Sequence, residues 1–175
     1  MKIKKYIIGI IIILALIFLI LISQGNIGIS KNNMENNARK DQKIQENWMT
    51  ASSINDDLGA FLFYDEELSH STLSIYIKRD GISFGYFFRY GGGVPGISEN
   101  ICRFKSDGKG SIFLSLNKIK VAKIEIDNGL QQSEVIPIDS NKPFSIIIPE
   151  NVGEIRIYDV YGELIPVEDI TINNI

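Results

Sequence analysis

The chain has 175 residues, a formal net charge of −3 and one cysteine, which excludes an intramolecular disulfide framework. The charge is distributed unevenly, because residues 1–47 carry seven Lys and Arg against three Asp and Glu, whereas residues 48–175 carry eleven against eighteen. An acidic domain repels phosphate backbones, so the sequence predicts no nucleic-acid partner.

Residues 1–5 form a basic tip, and residues 6–23 form an uncharged, almost wholly aliphatic run. As a helix the run would be about 27 Å long, close to the ~30 Å hydrocarbon core of a bilayer. Lysines precede the run, and no charge follows it until Lys31. The positive-inside rule therefore predicts a single-pass anchor in the cell membrane, with the N-terminus cytoplasmic and the C-terminal domain outside.

A cleaved signal sequence is the alternative, because the small residues Ser23 and Gly25 suit a peptidase that would cut after Gly25 and release a secreted domain. The apolar run is longer than the core of about 7–15 residues typical of a signal peptide, so we favour the uncleaved anchor. The frequent Ile, Asn and Lys are typical of an AT-rich bacterial genome.

Residues 24–47 are polar and rich in asparagine, and they lack a sustained apolar period. We predict that they form a stalk that lifts the following domain off the membrane surface. Met34, Ala38 and Ile44 could support a short helix within this stalk.

Residues 48–175 are predicted to form one extracytoplasmic domain of short strands. Apolar runs bounded by Gly, Pro, Asn and Asp are typical of strands and turns. The predicted strands are 61–64, 72–78, 82–90, 101–105, 111–116, 119–126, 134–138, 143–148, 154–160 and 164–167. Eight to ten such strands without a long helix predict an all-β fold, a single antiparallel β-sandwich of the immunoglobulin-like or jelly-roll type.

The second and third of these strands are joined by Asp80-Gly81, a dipeptide typical of a two-residue hairpin turn. Such a turn fixes the register and brings apolar side chains together on the core face. The expected pairs are Ile77 with Phe84, Ile75 with Tyr86, and Leu73 with Phe88.

The opposite face of this hairpin would point outward and is the candidate binding surface. It would carry Tyr76, Lys78, Phe87 and Arg89. Exposed aromatic rings beside arginine are favoured at interfaces, and rings also stack on sugars. We expect an envelope protein or a cell-wall glycan as partner, unless a second layer covers this face.

Other groups do not predict chemistry. His70 is interpreted as an exposed loop residue and Cys102 as a small buried apolar residue. The acidic clusters at 56–57 and 65–67 lack the alternating spacing of a calcium loop, and residues 91–96 lack the Lys-Ser/Thr of a phosphate loop. The sequence therefore predicts no catalytic residue, no metal and no cofactor.

A pattern near the C-terminus reads Ile155-x-Ile157-Tyr158-Asp159-x-x-Gly162-x-x-Ile165. Over about residues 143–167, the chain resembles the closing hairpin of bacterial immunoglobulin-like domains. The resemblance implies a β-sandwich and transfers no functional residue.

Three functions stay open. An anchored binding or interaction module is favoured, because a membrane helix precedes an acidic β domain without a catalytic motif. An accessory subunit of a membrane complex would need an anchor that packs specifically, and this anchor lacks the small-xxx-small face of tightly paired helices. A small carboxylate-based glycan hydrolase would need two acids in one cleft.

Overall fold

A computed structural model describes residues 2–129 and 133–170, with side chains described from Tyr6 onward. Its helices are α1 (Lys2–Ser23) and α2 (Met34–Asp41), and a 3-10 turn at Lys31–Asn33 precedes α2. The strands in the described residues are β1 (Met49–Ile54), β2 (Leu58–Tyr64), β3 (Ser71–Ile77), β4 (Phe87–Gly92), β5 (Ile101–Ser106), β6 (Gly110–Ser115), β7 (Val121–Asp127), β8 (Glu134–Pro137), β9 (Phe144–Ile148), β10 (Glu154–Asp159) and β11 (Val167–Ile170).

Helix α1 includes the apolar run that was predicted to be helical. Its segment Tyr6–Ser23 is long and apolar enough to cross a membrane, and none of it is buried against the rest of the chain. The orientation across the membrane and the cleavage after Gly25 stay predictions.

The strands form three sheets. Sheet A has the order β1-β2-β3-β4 and is antiparallel throughout. Sheet B has the order β11-β5-β6-β9, in which β11 runs parallel to β5 and the other pairs are antiparallel. Sheet C has the order β10-β7-β8 and is antiparallel.

Sheet B is the central layer, because apolar side chains on both of its faces are buried. One face packs on sheet A, where Phe104 and Leu114 share a core with Leu62. The other face packs on sheet C, where Phe113 shares a core with Ile124. The predicted mostly antiparallel β fold is confirmed. The described residues form three sheets where a single sandwich has two, so the prediction of a single sandwich is not confirmed.

The predicted stalk is corrected by a third core on the outer face of sheet A. There Phe61 and Tyr76 pack against Met34 and Ala38, both fully buried. These two residues are spaced by four and therefore lie on one side of α2. Gly59 of β2 leaves the space for the Met34 sulfur, which would lie 3.0 Å from a β-carbon at that position. Helix α2 is thus a cover for sheet A and not part of a free spacer.

The predicted hairpin register is wrong. The observed pairs are Ile77 with Phe87, Ile75 with Tyr90, and Leu73 with Gly92, with a bulge beside Tyr76. Residues 84–86 bond elsewhere, since the Phe84 N–H donates to the Asn26 carbonyl and the Tyr86 N–H donates to the Ile29 carbonyl, each at 2.8 Å. A type I′ turn needs a positive φ at both of its central residues. Of the two residues predicted to form the turn, Gly81 has a positive φ and Asp80 does not.

Strand β1 was not predicted from the sequence. Its Thr, Ala and Ser residues give no apolar alternation, although the strand pairs with residues 59–64 of β2. It lies beside sheet B, where the hydroxyl oxygens of Ser53 and Ser145 are 2.7 Å apart and share a hydrogen bond.

Replacing Met34 by Ala tests whether α2 belongs to the fold. We expect the free energy of unfolding to fall by about 2–4 kcal/mol, because truncating a buried side chain loses apolar contact and leaves a cavity. Urea denaturation of the full chain in detergent micelles, followed by circular dichroism, measures the loss. Asn36→Ala on the exposed side of the same helix is the matched control, with an expected change below about 0.5 kcal/mol. Equal, small effects of both substitutions would contradict the packing of α2.

Gly81 and Gly85 allow the pairing of residues 84–86 to be tested with matched backbone strain. Both have left-handed φ angles, +84° and +83°. Gly81→Ala meets open space and should cost only that strain, about 1 kcal/mol. A β-carbon at position 85 would lie 2.7 Å from the Ile29 carbonyl oxygen, so Gly85→Ala should cost clearly more in the same denaturation experiment. Equal losses from the two variants would argue against this close approach.

Candidate functional site

A cleft of about 570 Å³ lies where the beginning of β4 faces the β5–β6 turn and the end of β11. Its lining therefore combines residues from sheets A and B. The lining residues are Ile77, Arg79, Phe87, Phe88, Arg89, Arg103, Lys105, Ser106, Asp107, Asp169 and Ile170.

The cleft is locally cationic. Four of its lining side chains are Arg or Lys and two are Asp, although residues 48–175 carry eighteen acidic against eleven basic side chains. A concave surface with an excess of one sign of charge attracts the opposite charge. The cleft therefore favours an anionic ligand.

One wall of the cleft is an ion pair between β5 and β11. The parallel register places Arg103 beside Asp169, and the guanidinium donates through Nε and Nη2 to the two carboxylate oxygens at 2.5 and 2.9 Å. Lys105 Nζ lies 3.3 Å from the same carboxylate. The hydrogen bond from Arg103 holds the pKa of Asp169 below its ordinary value. Asp169 thus stays ionised and fixes the guanidinium against this wall.

The opposite wall is formed by an arginine stacked on an aromatic ring. Arg79 Cζ lies 4.0 Å from the centroid of the Phe87 ring, a cation–π contact. Its Nη1 also donates to the Gly25 carbonyl at 3.3 Å. Arg79 is therefore held between the cleft and the end of α1.

The structure brings together two of the four predicted binding residues, because Phe87 and Arg89 both line the cleft. Lys78 is exposed but is not part of the lining. Tyr76 is fully buried beneath α2, where its hydroxyl donates to Asn37 Oδ1 at 2.8 Å and burial raises its pKa to about 12. The prediction that Tyr76 is exposed is wrong, because α2 covers this part of sheet A.

Sequence reasoning missed six polar lining residues: Arg79, Arg103, Lys105, Ser106, Asp107 and Asp169. The pairing of β11 with β5 joins residues far apart in the chain, which no local pattern indicates. One signal was present, since the alternation Arg103-x-Lys105 puts both cations on the same side of a strand.

In the exposed loop between β2 and β3, Asp65, Ser69 and His70 lie together in a hydrogen-bonded turn. Asp65 accepts hydrogen bonds from Ser69 Oγ at 2.7 Å and from the backbone N–H of Ser69 and of His70. These bonds hold the pKa of Asp65 well below its usual range. Ser69 Oγ and Asp65 both lie near the same ring nitrogen, His70 Nδ1, whereas a catalytic triad needs them on opposite nitrogens. His70 is 76% exposed, as predicted for a loop residue.

Within residues 2–129 and 133–170, no group of three or more His, Cys, Asp or Glu side chains could hold a metal ion. Cys102 is fully buried in the core between sheets A and B, which confirms its interpretation as an apolar residue. Burial raises the pKa of its thiol to about 11, so the thiol is protonated and unreactive at neutral pH.

Comparison with known proteins finds no protein-family model, no curated protein and no solved structure that matches this chain. In the C-terminal segment that resembles immunoglobulin-like domains, Tyr158 and Leu164 form a β-bridge. The Ile165 N–H donates to the Ile157 carbonyl at 2.8 Å. This is a short hairpin, and the immunoglobulin-like relationship of residues 143–167 stays a prediction. The function is therefore inferred from the geometry of the cleft.

The ion pair predicts a pH-dependent contribution to stability. Folding lowers the pKa of Asp169, so its contribution is present above the ordinary value of 3.8 and is lost as the pH falls through the folded value. The side chain is 48% exposed, and solvent screening limits the coupling free energy between Arg103→Gln and Asp169→Asn to about 0.5–1 kcal/mol at neutral pH. The coupling should decrease as the pH is lowered below 3.8. Urea denaturation of the four proteins of this cycle measures it, and a coupling independent of pH would exclude the ionic interaction.

Proposed function

We propose that this protein is a membrane-anchored, extracytoplasmic binding module whose cleft receives an anionic ligand. The observation that carries the proposal is the charge of the cleft: four cationic side chains meet in a domain that is acidic overall. Support for the anchored location comes from α1, which is long and apolar enough to span a membrane.

The ligand that suits this cleft best is an acidic polymer of the cell envelope, in which carboxylate or phosphate groups lie beside sugar rings. Guanidinium groups bind such anions through two parallel hydrogen bonds. Phe88 is 46% exposed at the cleft and offers a ring face for stacking on a sugar. Arg79 and Arg89 both line the cleft, and we expect them to contact the ligand.

Hydrolysis of a glycan is less well supported. General acid catalysis needs a protonated carboxyl group with a raised pKa, and the pKa of Asp169 is lowered by Arg103. The acidic segment of an envelope protein would satisfy the same cations and is the other partner expected for a binding module. Binding without turnover is therefore the proposal.

Photo-crosslinking in intact bacterial cells tests the proposal. A photoreactive amino acid replaces Phe88 in the full-length chain, and mass spectrometry identifies the adducts. Val135 on sheet C is the matched control, because it is 51% exposed and lies across the central sheet from the cleft wall of sheet A. We expect a glycan adduct from position 88 only.

Removing the cations checks that the adduct depends on charge. The double variant Arg79→Gln/Arg89→Gln should lower the adduct yield by about tenfold, since one lost charge-assisted hydrogen bond suffices for that factor. Equal adducts from positions 88 and 135, or an unchanged yield in the double variant, would contradict the proposal. A single protein adduct would instead identify an envelope protein as the partner of the module and contradict a glycan ligand.

A further inference from the structure

Helix α1 ends in a glycine cap that fixes the direction of the chain leaving it. Gly25 has a left-handed φ of +65°. The Asn26 N–H donates to the Leu21 carbonyl and the Gly25 N–H donates to the Ile22 carbonyl, both at 2.9 Å. These are the two hydrogen bonds of a Schellman motif. Asn26 therefore lies directly against the last turn of the helix.

The loop between β3 and β4 is bonded to this cap. The Phe84 N–H donates to the Asn26 carbonyl at 2.8 Å, and Arg79 donates to the Gly25 carbonyl at 3.3 Å. The path from the Phe84 nitrogen to the Leu21 carbonyl oxygen runs through one hydrogen bond, the backbone of Asn26 and a second hydrogen bond. The distance between these two atoms is therefore at most roughly 9 Å.

This separation determines the depth of Phe84 when α1 spans a bilayer. Leu21 lies about 3 Å inside the end of the helix at Ser23. The backbone of Phe84 then lies within roughly 6 Å of the hydrocarbon boundary, which is comparable with the thickness of one headgroup layer.

The loop carries side chains suited to such a position. Ile82 is 76% and Phe84 is 57% exposed, and Ile27, which bridges to Phe84, is 38% exposed. Lys78 and Arg79 are both exposed before this apolar patch. Aliphatic and aromatic side chains flanked by Lys and Arg are typical of segments that lie in the membrane interface. The one carboxylate of the loop, Asp80, is paired with Lys109 Nζ at 2.5 Å.

We infer that the loop of residues 78–84 inserts Ile82 and Phe84 into the lipid bilayer that α1 spans. The domain then rests on the membrane through a second contact beside its anchor, and the cleft above Arg79 opens close to the lipid headgroups. The inference requires α1 to lie in a membrane and does not depend on the ligand of the cleft.

Depth-dependent fluorescence quenching of the full-length chain in lipid nanodiscs tests this insertion. An environment-sensitive thiol label is placed at Ile82→Cys or Phe84→Cys, with Val135→Cys as the exposed control. The native Cys102 is buried and stays unlabelled. Spin-labelled lipids carry the quencher either on the headgroup or near the top of the acyl chain.

We expect the acyl-chain quencher to act several-fold more strongly on labels at positions 82 and 84 than on the label at position 135. A label at 82 or 84 that only the headgroup quencher reaches would place the loop above the lipid and overturn the inference. A comparison of nanodiscs of phosphatidylcholine alone with nanodiscs containing phosphatidylglycerol separates apolar insertion from electrostatic adsorption. Quenching that needs the anionic lipid would show adsorption by Lys78 and Arg79 and overturn insertion by the apolar residues.

A second measurement uses the unsubstituted chain, so that misfolding of a variant cannot decide the result. Lipids with a photoreactive group in the acyl chain are activated in the nanodisc, and the modified peptides are identified by mass spectrometry. Adducts within residues 6–23 report that α1 lies in the bilayer. Adducts within residues 78–84 as well are the expected result, and adducts in α1 alone would overturn the inference.

Discussion

The backbone pairing of residues 26–29 with residues 84–86 constrains the rest of this structure. It draws the chain away from the tight turn that Asp80-Gly81 would otherwise form and shifts the register of β4 against β3. Gly28 permits the approach, because a β-carbon there would lie 2.5 Å from the Tyr86 carbonyl oxygen. The same pairing leads the chain directly from the end of α1 into α2. A few hydrogen bonds therefore connect the anchor, the cover of sheet A and the cleft.

Burial on both faces explains the sequence of β2. Strand β2 is buried along its whole length, between α2 on one side and sheet B on the other. Such strands read as continuous apolar runs, and β2 shows this in its sequence Leu-Gly-Ala-Phe-Leu-Phe-Tyr. The hydrophobic effect stabilises three interfaces, which lie between α2 and sheet A, between sheets A and B, and between sheets B and C.

One buried side chain, that of Asn117, satisfies several backbone groups between the strands. Asn117, only 3% exposed, accepts a hydrogen bond from the Val121 N–H at 2.7 Å. Its amide donates to the carbonyl groups of Asp139 and Lys142 at 3.0 and 3.1 Å. One amide thus ties the β6–β7 connection to the segment before β9, and the buried backbone groups keep their hydrogen bonds.

The sequence indicated the elements better than their arrangement. Alternating residues such as Leu73, Ile75 and Ile77 mark a strand wherever its partner lies, so most strands were predicted. Alternation could not determine the register of β4, since Tyr76 on the opposite face is buried as well. Phe87 and Arg89 were predicted as site residues from their own strand. Their neighbours from β5 and β11 depend on parallel pairing between distant segments, and no local pattern encodes that contact.

The cap of α1 also bears on whether the domain is released from its anchor. The carbonyl group of the peptide bond after Gly25 accepts a hydrogen bond from Arg79, and the next carbonyl group, that of Asn26, accepts one from the Phe84 N–H. A signal peptidase would need this segment extended in its own active site, so a folded domain shields the bond. Retention or release would then be decided by two competing rates, processing during translocation and closure of the loop over residues 25–26. Slower closure would favour the free form without any change in the residues that the peptidase recognises.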